Sequence, residues 1–511
     1  MSKSSSREQM RPARTYMGWQ RERVAFMLGM SGARFALAAG AVLVALTPLV
    51  GSHLRLGFVA WPVAVVMAVL VFIRPGGRTV DEWATAAASY TGTTMRQQNK
   101  FISGPFNPRQ GRPGKPKPMD LPGILAPVQI LTAQMADGQP LAIVHHQIDN
   151  TYTAVARLRV PGIGLIDSAL RDRRVGGWGA LMDTLCTEGN PITRVQALQR
   201  LVPESAAALR RWHADHLHPD APALAAEVTS GLLANSALAT SQREAYLAFT
   251  MDARRVGRQI KHAGGGTVGA AAVLTRQLRA LSSGVAGAEL GIEAWLSPRD
   301  LAEALRAAFD PDSGNVLSEQ RVRTGNGGPL PGLDPGVAGP AAAESSAGSY
   351  RHDGGKSVTY WVHEWPRHQV HSTVLEPLLR VGKHRRSLSL HFEPLGPVES
   401  SRQVMRERTK RRTQIIARQK LGQVIPEHER LEDQRAQDQD AERANGHGLV
   451  RFVGYVTVTV THPEELEDAC AVLEQDAAGA GLVIRRMWFA QDVGFAMSAL
   501  PLGFGLPKKR W

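Results

Sequence analysis

The run LVRFVGYVTVTVT at 449–461 is rich in β-branched and aromatic residues and reads as the strongest strand in the chain. Thr461, Pro463 and Glu464 behind it have the character of a helix start. Upstream, Ser357–Trp365 and Ser387–Glu393 alternate like strands, with a helix predicted near Val370–Arg380 between them, and Arg485–Phe489 is the last strand expected. Short strands interleaved with helices give an α+β class, read as a ferredoxin-like α/β-sandwich subdomain over 350–507. Inside it, Glu399–Asn445 is dominated by charged and long polar residues and suits an inserted helical hairpin bent near Pro426.

The same alternation continues toward the N-terminus. Ile124–Leu131, Pro140–Gln147 and Tyr152–Val160 read as an antiparallel meander punctuated by Asp137-Gly138 and Asp149-Asn150. Helices are predicted at Trp178–Thr187, Ile192–Leu201, roughly Ser205–Ala239 and Ala270–Ser282, with a short strand at Glu244–Thr250. Ser297–Phe309 is the best-marked helix: Ser297 is its cap, Pro298 its first residue and Asp300 its third, and Leu301, Leu305, Ala308 and Phe309 share one face. These elements make a first ferredoxin-like subdomain over 119–310. The segment 311–349, rich in Gly, Pro, Ala and Ser without a hydrophobic period, reads as a flexible linker or inserted loop.

Of the 511 residues, 43% are hydrophobic, which excludes wholesale disorder. Two cysteines, Cys186 and Cys470, exclude a disulfide scaffold and fit a reducing compartment. The net charge of +14 invites a nucleic-acid partner until it is located. Residues 1–34 carry +5, residues 74–118 carry +6 and the tail Lys508, Lys509, Arg510 adds +3, so with Arg55 counted the body at 119–507 stands at −1. Between the two basic blocks lie the charge-free runs Phe35–Val50 and Leu56–Ile73. They predict a two-helix transmembrane hairpin over 34–74, with both termini cytoplasmic and the protein in the inner (plasma) membrane. On that expectation Arg21, Arg23, Arg34, Arg74 and Arg78 flank the membrane. Residues 1–33 form a basic arm and 75–118 a juxtamembrane helix (Thr79–Lys100) with a basic Pro/Gly linker, while 508–511 are a basic tail.

Motifs that could carry chemistry fail on context. Gly264-Gly265-Gly266-Thr267-Val268-Gly269 fits a dinucleotide fingerprint, but the polar, basic stretch before it is no strand. Gly355-Lys356-Ser357 has Tyr350 where a phosphate loop needs glycine, and a strand follows in place of a helix. His363-Glu364 and His368 are spaced one residue too far for a zinc helix, and Pro366 interrupts them. His213, His216 and His218 sit close together, but no cysteine or acidic cluster completes a metal shell. No cofactor, metal or catalytic residue is predicted. Arg402, Arg406, Arg408, Arg411 and Arg412 crowd one arm of the charged hairpin opposite a returning acidic arm. Three roles are open to them: pairing with that arm, docking a protein, or contacting nucleic acid.

The segments WPRHQVHSTVLEPLLR (365–380), LSLHFEP (388–394), the charged hairpin, LEDACAVLEQDAAGAGL (466–482) and QDVGFAMSALPLG (491–503) follow one another in an order that resembles the non-motor N-terminal region of type IV secretion and conjugation ATPases. AWLSPRDLAEALRAAFDP (294–311) is similar to a helix of that family's first subdomain. In the family an "LPLG"-like segment leads into a nucleotide-binding motor, and here the sequence stops at Trp511 where a motor would begin. Together with the two apolar runs, the whole looks like a two-span membrane protein of an actinobacterial conjugative element. The resemblance implies a non-enzymatic inner-membrane scaffold of a type IV-like secretion or DNA-transfer apparatus. Its implied partners are a separate cognate ATPase and other membrane subunits, with self-association into a homo-oligomer compatible and direct nucleic-acid binding not expected. The E-type component of a type VII secretion complex is the alternative, and a membrane-anchored nucleic-acid binder or a tethered enzyme are further classes.

Overall fold

The computed structural model describes residues 32–50, 57–72, 80–104, 119–159, 167–203, 207–218, 220–239, 241–314, 316–317, 332–366, 369–380, 382–405, 409 and 448–504. Their helices are α1 (Gly32–Val50), α2 (Gly57–Phe72), α3 (Val80–Met95), α4 (Ser168–Leu185), α5 (Ala207–His216), α6 (Ala223–Ala239), α7 (Gly257–His262), α8 (Gly266–Gly287), α9 (Pro298–Phe309), α10 (Leu466–Gly479) and α11 (Gln491–Ala499). The strands are β1 (Lys100–Ile102), β2 (Val128–Gln134), β3 (Pro140–His146), β4 (Thr151–Arg159), β5 (Ile192–Pro203), β6 (Ser241–Asp252), β7 (Gly291–Trp295), β8 (Ala342–Ser345), β9 (Tyr350–His352), β10 (Gly355–Glu364), β11 (Arg385–Leu395), β12 (Leu449–Val460) and β13 (Val483–Arg486).

All 13 strands join one sheet in the order β1-β8-β9-β10-β12-β11-β5-β6-β4-β3-β2, with β13 added to β10 and β7 to β4, and every pairing is antiparallel. The sheet is two halves sewn together at β5–β11. In the first half β4, α4, β5, β6, α8 and β7 follow in sequence, and the strands lie side by side as β7-β4-β6-β5. In the second, β10, β11, β12, α10 and β13 lie as β13-β10-β12-β11, and a 3₁₀ turn at Glu376–Leu379 takes the place of α4.

The registers superimpose these halves. Leu198 faces Ser389 across the seam, Tyr246 lies beside Leu198 as Tyr455 lies beside Ser389, and Arg157 and Trp361 lie beyond the two tyrosines. An approximate two-fold axis therefore passes through the Leu198–Ser389 pair. The pattern extends to the helices, since α9 follows β7 as α11 follows β13.

Each sheet face has its own core. On one face α4 and α8 cover Val195, Leu247 and Phe249, and α10 covers Val358, Tyr360, Val456 and Val458. On the other, α9 and α11 bury Leu301, Leu305, Phe309 and Phe495 against Leu198, Tyr246 and Ala248. Each such side chain stabilises the fold by about 1.5–3 kcal/mol through removal of apolar surface from water. Ser297 and Asp300 close a reciprocal capping box on α9, each accepting the other's backbone N–H at 3.2 Å.

Several expectations are corrected. A transmembrane hairpin followed by two ferredoxin-like sandwich subdomains is replaced by this single 13-stranded antiparallel sheet. Ile192–Leu201, read as helix, is β5, the central strand through which the halves merge. Among the described residues no helix is long and apolar enough to cross a membrane. The 16 residues of α2 extend about 24 Å, short of a hydrocarbon core of roughly 30 Å, and α1 takes in Arg34 and Pro48. The two-pass plasma-membrane placement is overturned with it. α1 and α2 instead pack on each other, Trp61 Nε1 donating to the Ala45 carbonyl at 3.3 Å, with Leu43, Phe58 and Val59 exposed. Within the stretch read as a linker, residues 342–345 form β8, paired with β1 and β9. The charged hairpin lies outside the described residues beyond 405, apart from Thr409.

Candidate functional site

The seam between the halves is polar where it meets α11. Gln196 on β5 and Ser389 and His391 on β11 are fully buried beneath α11 and the segment after it. The Gln196 amide donates to Ser389 Oγ (3.0 Å), the Met497 carbonyl (3.2 Å) and the Leu500 carbonyl (2.9 Å), while its Oε1 accepts the Gly503 N–H at 2.7 Å. His391 Nε2 lies 2.9 Å from the Met497 carbonyl and 3.0 Å from Ser389 Oγ. Arg194 donates to the Gly503 carbonyl at 2.9 Å while its other nitrogens hold Glu393, and Thr250 Oγ1 reaches the same carbonyl at 3.3 Å.

At the other end of α11, Gln491 accepts the Thr359 N–H at 2.8 Å and donates to the Met487 carbonyl at 3.0 Å. Strands of both halves thus clamp residues 491–503 mainly through main-chain groups, each bond satisfying a buried amide or carbonyl that would otherwise be costly to desolvate. Gly503 is required by the clamp. Its φ is +67° and a Cβ there would lie 2.2 Å from Thr250 Oγ1.

Burial governs the titration of this layer. It pulls the His391 imidazole down to about 3, against the partial support of the Met497 carbonyl. His352, buried beneath the Phe309 carbonyl with Nε2 at 2.7 Å from Ser357 Oγ, is likewise pulled down to about 4 by burial. Both imidazoles are therefore neutral at physiological pH. Burial also pushes the Cys186 thiol up to about 11 and raises Cys470, which makes each a poor nucleophile.

The residues singled out from the sequence do not converge. Arg34 sits in the first turn of α1, and Arg21, Arg23, Arg74 and Arg78 lie outside the described residues. Arg402 is exposed on the helix at 397–405 that follows β11, whereas Arg406, Arg408, Arg411 and Arg412 are outside the described residues. Gly264, Gly265 and Gly266, the last of them the first residue of α8, turn with positive φ into that helix, and Gly355-Lys356-Ser357 opens β10. His216 and His218 are exposed at the end of α5, and no group of three His, Cys, Asp or Glu among the described residues could hold a metal ion. Sequence reasoning singled out the 491–503 strap but not its holders Gln196, His391 and Arg194. A glutamine and an arginine within a mostly apolar run were the only signal for two of them.

A second polar cluster lies at the ends of β5 and β11. Arg200 pairs with Glu244 at 2.6 Å and donates to Tyr246 Oη at 3.1 Å, and Arg386 pairs with Asp476 at 2.6 Å. Burial would lower the Arg200 guanidinium, but Glu244 and Tyr246 outweigh it and hold it above its ordinary range. Arg385 donates to the Ala307 and Pro311 carbonyls, and burial, then the charge of Arg200, pulls it down to about 10.

Fold and site together define a duplicated antiparallel-sheet protein that grips a strap of its own chain across its pseudo-two-fold seam. No protein-family model matches the chain, and no curated protein matches it.

Proposed function

We propose that the protein is a non-enzymatic docking scaffold of a type IV-like secretion or conjugative DNA-transfer apparatus, and that it engages a separately encoded ATPase. The observation that carries the proposal is the clamp on QDVGFAMSALPLG. This segment resembles the one that leads into the motor of type IV secretion ATPases, and here strands of both halves hold it in one position. A rigid sheet that fixes the exit of such a strap supplies placement, which is what a platform contributes to a motor. The LPLG ending favours this reading over the type VII E-type alternative, and the loss of the two spans bears on both. The near-neutral charge of 119–507 gives little support to a nucleic-acid binder.

The test is affinity capture of the tagged full chain from its source cells, followed by mass spectrometry. Recovery of a P-loop ATPase, reduced when Gln196→Leu loosens the strap, is the expected result. A chain that comes back alone, or with no ATPase, overturns the proposal.

A further inference from the structure

We propose that the cleft at the ends of β5 and β11, beside the C-terminal end of α9, binds a small oxyanion, a carboxylate or phosphate group, through Arg385 and Ser387. The inference does not depend on the docking role.

Arg200, Arg385 and Arg386 line this cleft together with Ser387 and Thr459, although the Arg386 side chain turns to the opposite, α10 face of β11. Two of them are already neutralised within the protein. Arg200 is held by Glu244 and by the Ala304 carbonyl at 2.8 Å, and Arg386 by Asp476. Arg385 differs. Among the described residues no carboxylate comes within 4.0 Å of it, and its partners are the carbonyls of Ala307 and Pro311, which carry no formal charge. Asp312 and Asp310 act on it from a distance, Asp312 from an exposed position and Asp310 while engaged by Arg306 at 3.0 Å. Arg385 therefore keeps a charge that no carboxylate contacts, in a largely desolvated place. Such a charge is poorly stabilised unless an anion joins it.

The remaining donors suit that anion. Two of the five guanidinium N–H groups go to carbonyls, which leaves three in a planar fork, the geometry that meets a carboxylate or phosphate with two parallel bonds. Ser387 lies two residues after Arg385 and two before Ser389, on the α11 side of β11, and its hydroxyl has no protein partner among the described residues. Thr459, which pairs with Arg385 across β11–β12, already exchanges a hydrogen bond with Ser357 at 2.7 Å. The specific donors are therefore Arg385 and Ser387.

The same chemistry can come from a free anion or from an acidic side chain of another protein, and the experiment separates them. The full chain is titrated at constant ionic strength with sodium phosphate, sodium acetate and a tetraglutamate peptide, against sodium chloride, with thermal unfolding as the readout. A saturable rise in Tm with phosphate or acetate identifies a free anion, and a rise with the peptide alone identifies a side chain. Either outcome supports the site if Arg385→Gln abolishes it and Arg351→Gln, an exposed control on β9, does not. Ser387→Ala keeps the guanidinium and guards against a misfolded Arg385 variant; it should weaken binding by about three- to tenfold. The proposal is overturned if no probe gives a saturable shift, or if Ser387→Ala and Arg385→Gln respond like the wild type.

Discussion

His391 shows how a single residue ties the clamp to solution conditions. Burial holds its imidazole at about 3, with Nε2 bonded to the Met497 carbonyl and Nδ1 without a partner. In the unfolded chain it would titrate near 6.5. A folded-state pKa below the unfolded one means that the unfolded chain binds the extra proton. The stability linked to His391 is therefore fully present above about pH 6.5 and lost as pH falls toward 3, at roughly 1.4 kcal/mol per pH unit. His352, held at about 4, adds the same dependence over a narrower window. We expect urea midpoints of the wild type to fall steeply between pH 6 and 4, and the His391→Gln variant to fall less steeply by one proton. Equal slopes would show that His391 is not buried as a neutral ring. Gly503 supplies a steric counterpart at the same scale. With its φ of +67° and Thr250 Oγ1 in the path of a Cβ, Gly503→Ala should destabilise the fold by about 2–4 kcal/mol in denaturant titration. A loss under half a kcal/mol would mean that the strap is not seated on Thr250.

The strands and helices differ in how openly their sequences announce them. α9 could be read in full because every marker agrees: Ser297 caps, Pro298 starts, Asp300 completes the box, and Leu301, Leu305 and Phe309 are buried on one side. Its cap is local, so Ser297→Ala should cost about 1 kcal/mol and lower Tm modestly without changing the sheet's circular-dichroism signature. An unchanged Tm would remove the cap from the account. β12 and β10 were legible through their β-branched residues, and β11 through the strict alternation of SLSLHF. β5 was not. In ITRVQALQRL the apolar residues at 192, 195, 198 and 201 recur every third position, which mimics one face of a helix. The strand can carry that pattern because helices cover both of its faces, and its polar Gln196 and Arg200 are buried with partners. Those partners, Leu500, Gly503 and Glu244, lie far along the chain, so no local window could reveal them. The candidate site was half legible for the same reason. The strap stood out as a motif, while the side chains that hold it are polar residues of central strands.

At the scale of the whole molecule, the misread strand decides whether there are two bodies or one. Had Ile192–Leu201 been a helix, the two halves would have met only through loops, and each would have had its own stability. As β5 it pairs with β6 of its own half and β11 of the other over most of its length. α11, which belongs to the second half by connectivity, is clamped by Gln196 of the first, and Phe495 packs into the core that holds Leu301 and Phe309 of α9. Neither half can unfold alone without exposing the seam strand of the other, with its ladder bonds and the buried amide of Gln196. Opening one half thus carries a cost comparable to opening both. We therefore expect calorimetry of the full chain to show one main transition whose van't Hoff and calorimetric enthalpies agree for the sheet. Ala197→Pro, which removes a ladder donor from the central strand β5, should shift that transition as a whole. Two resolved peaks, of which only one moves on this substitution, would mean that the halves are separable and that the seam is a contact between domains.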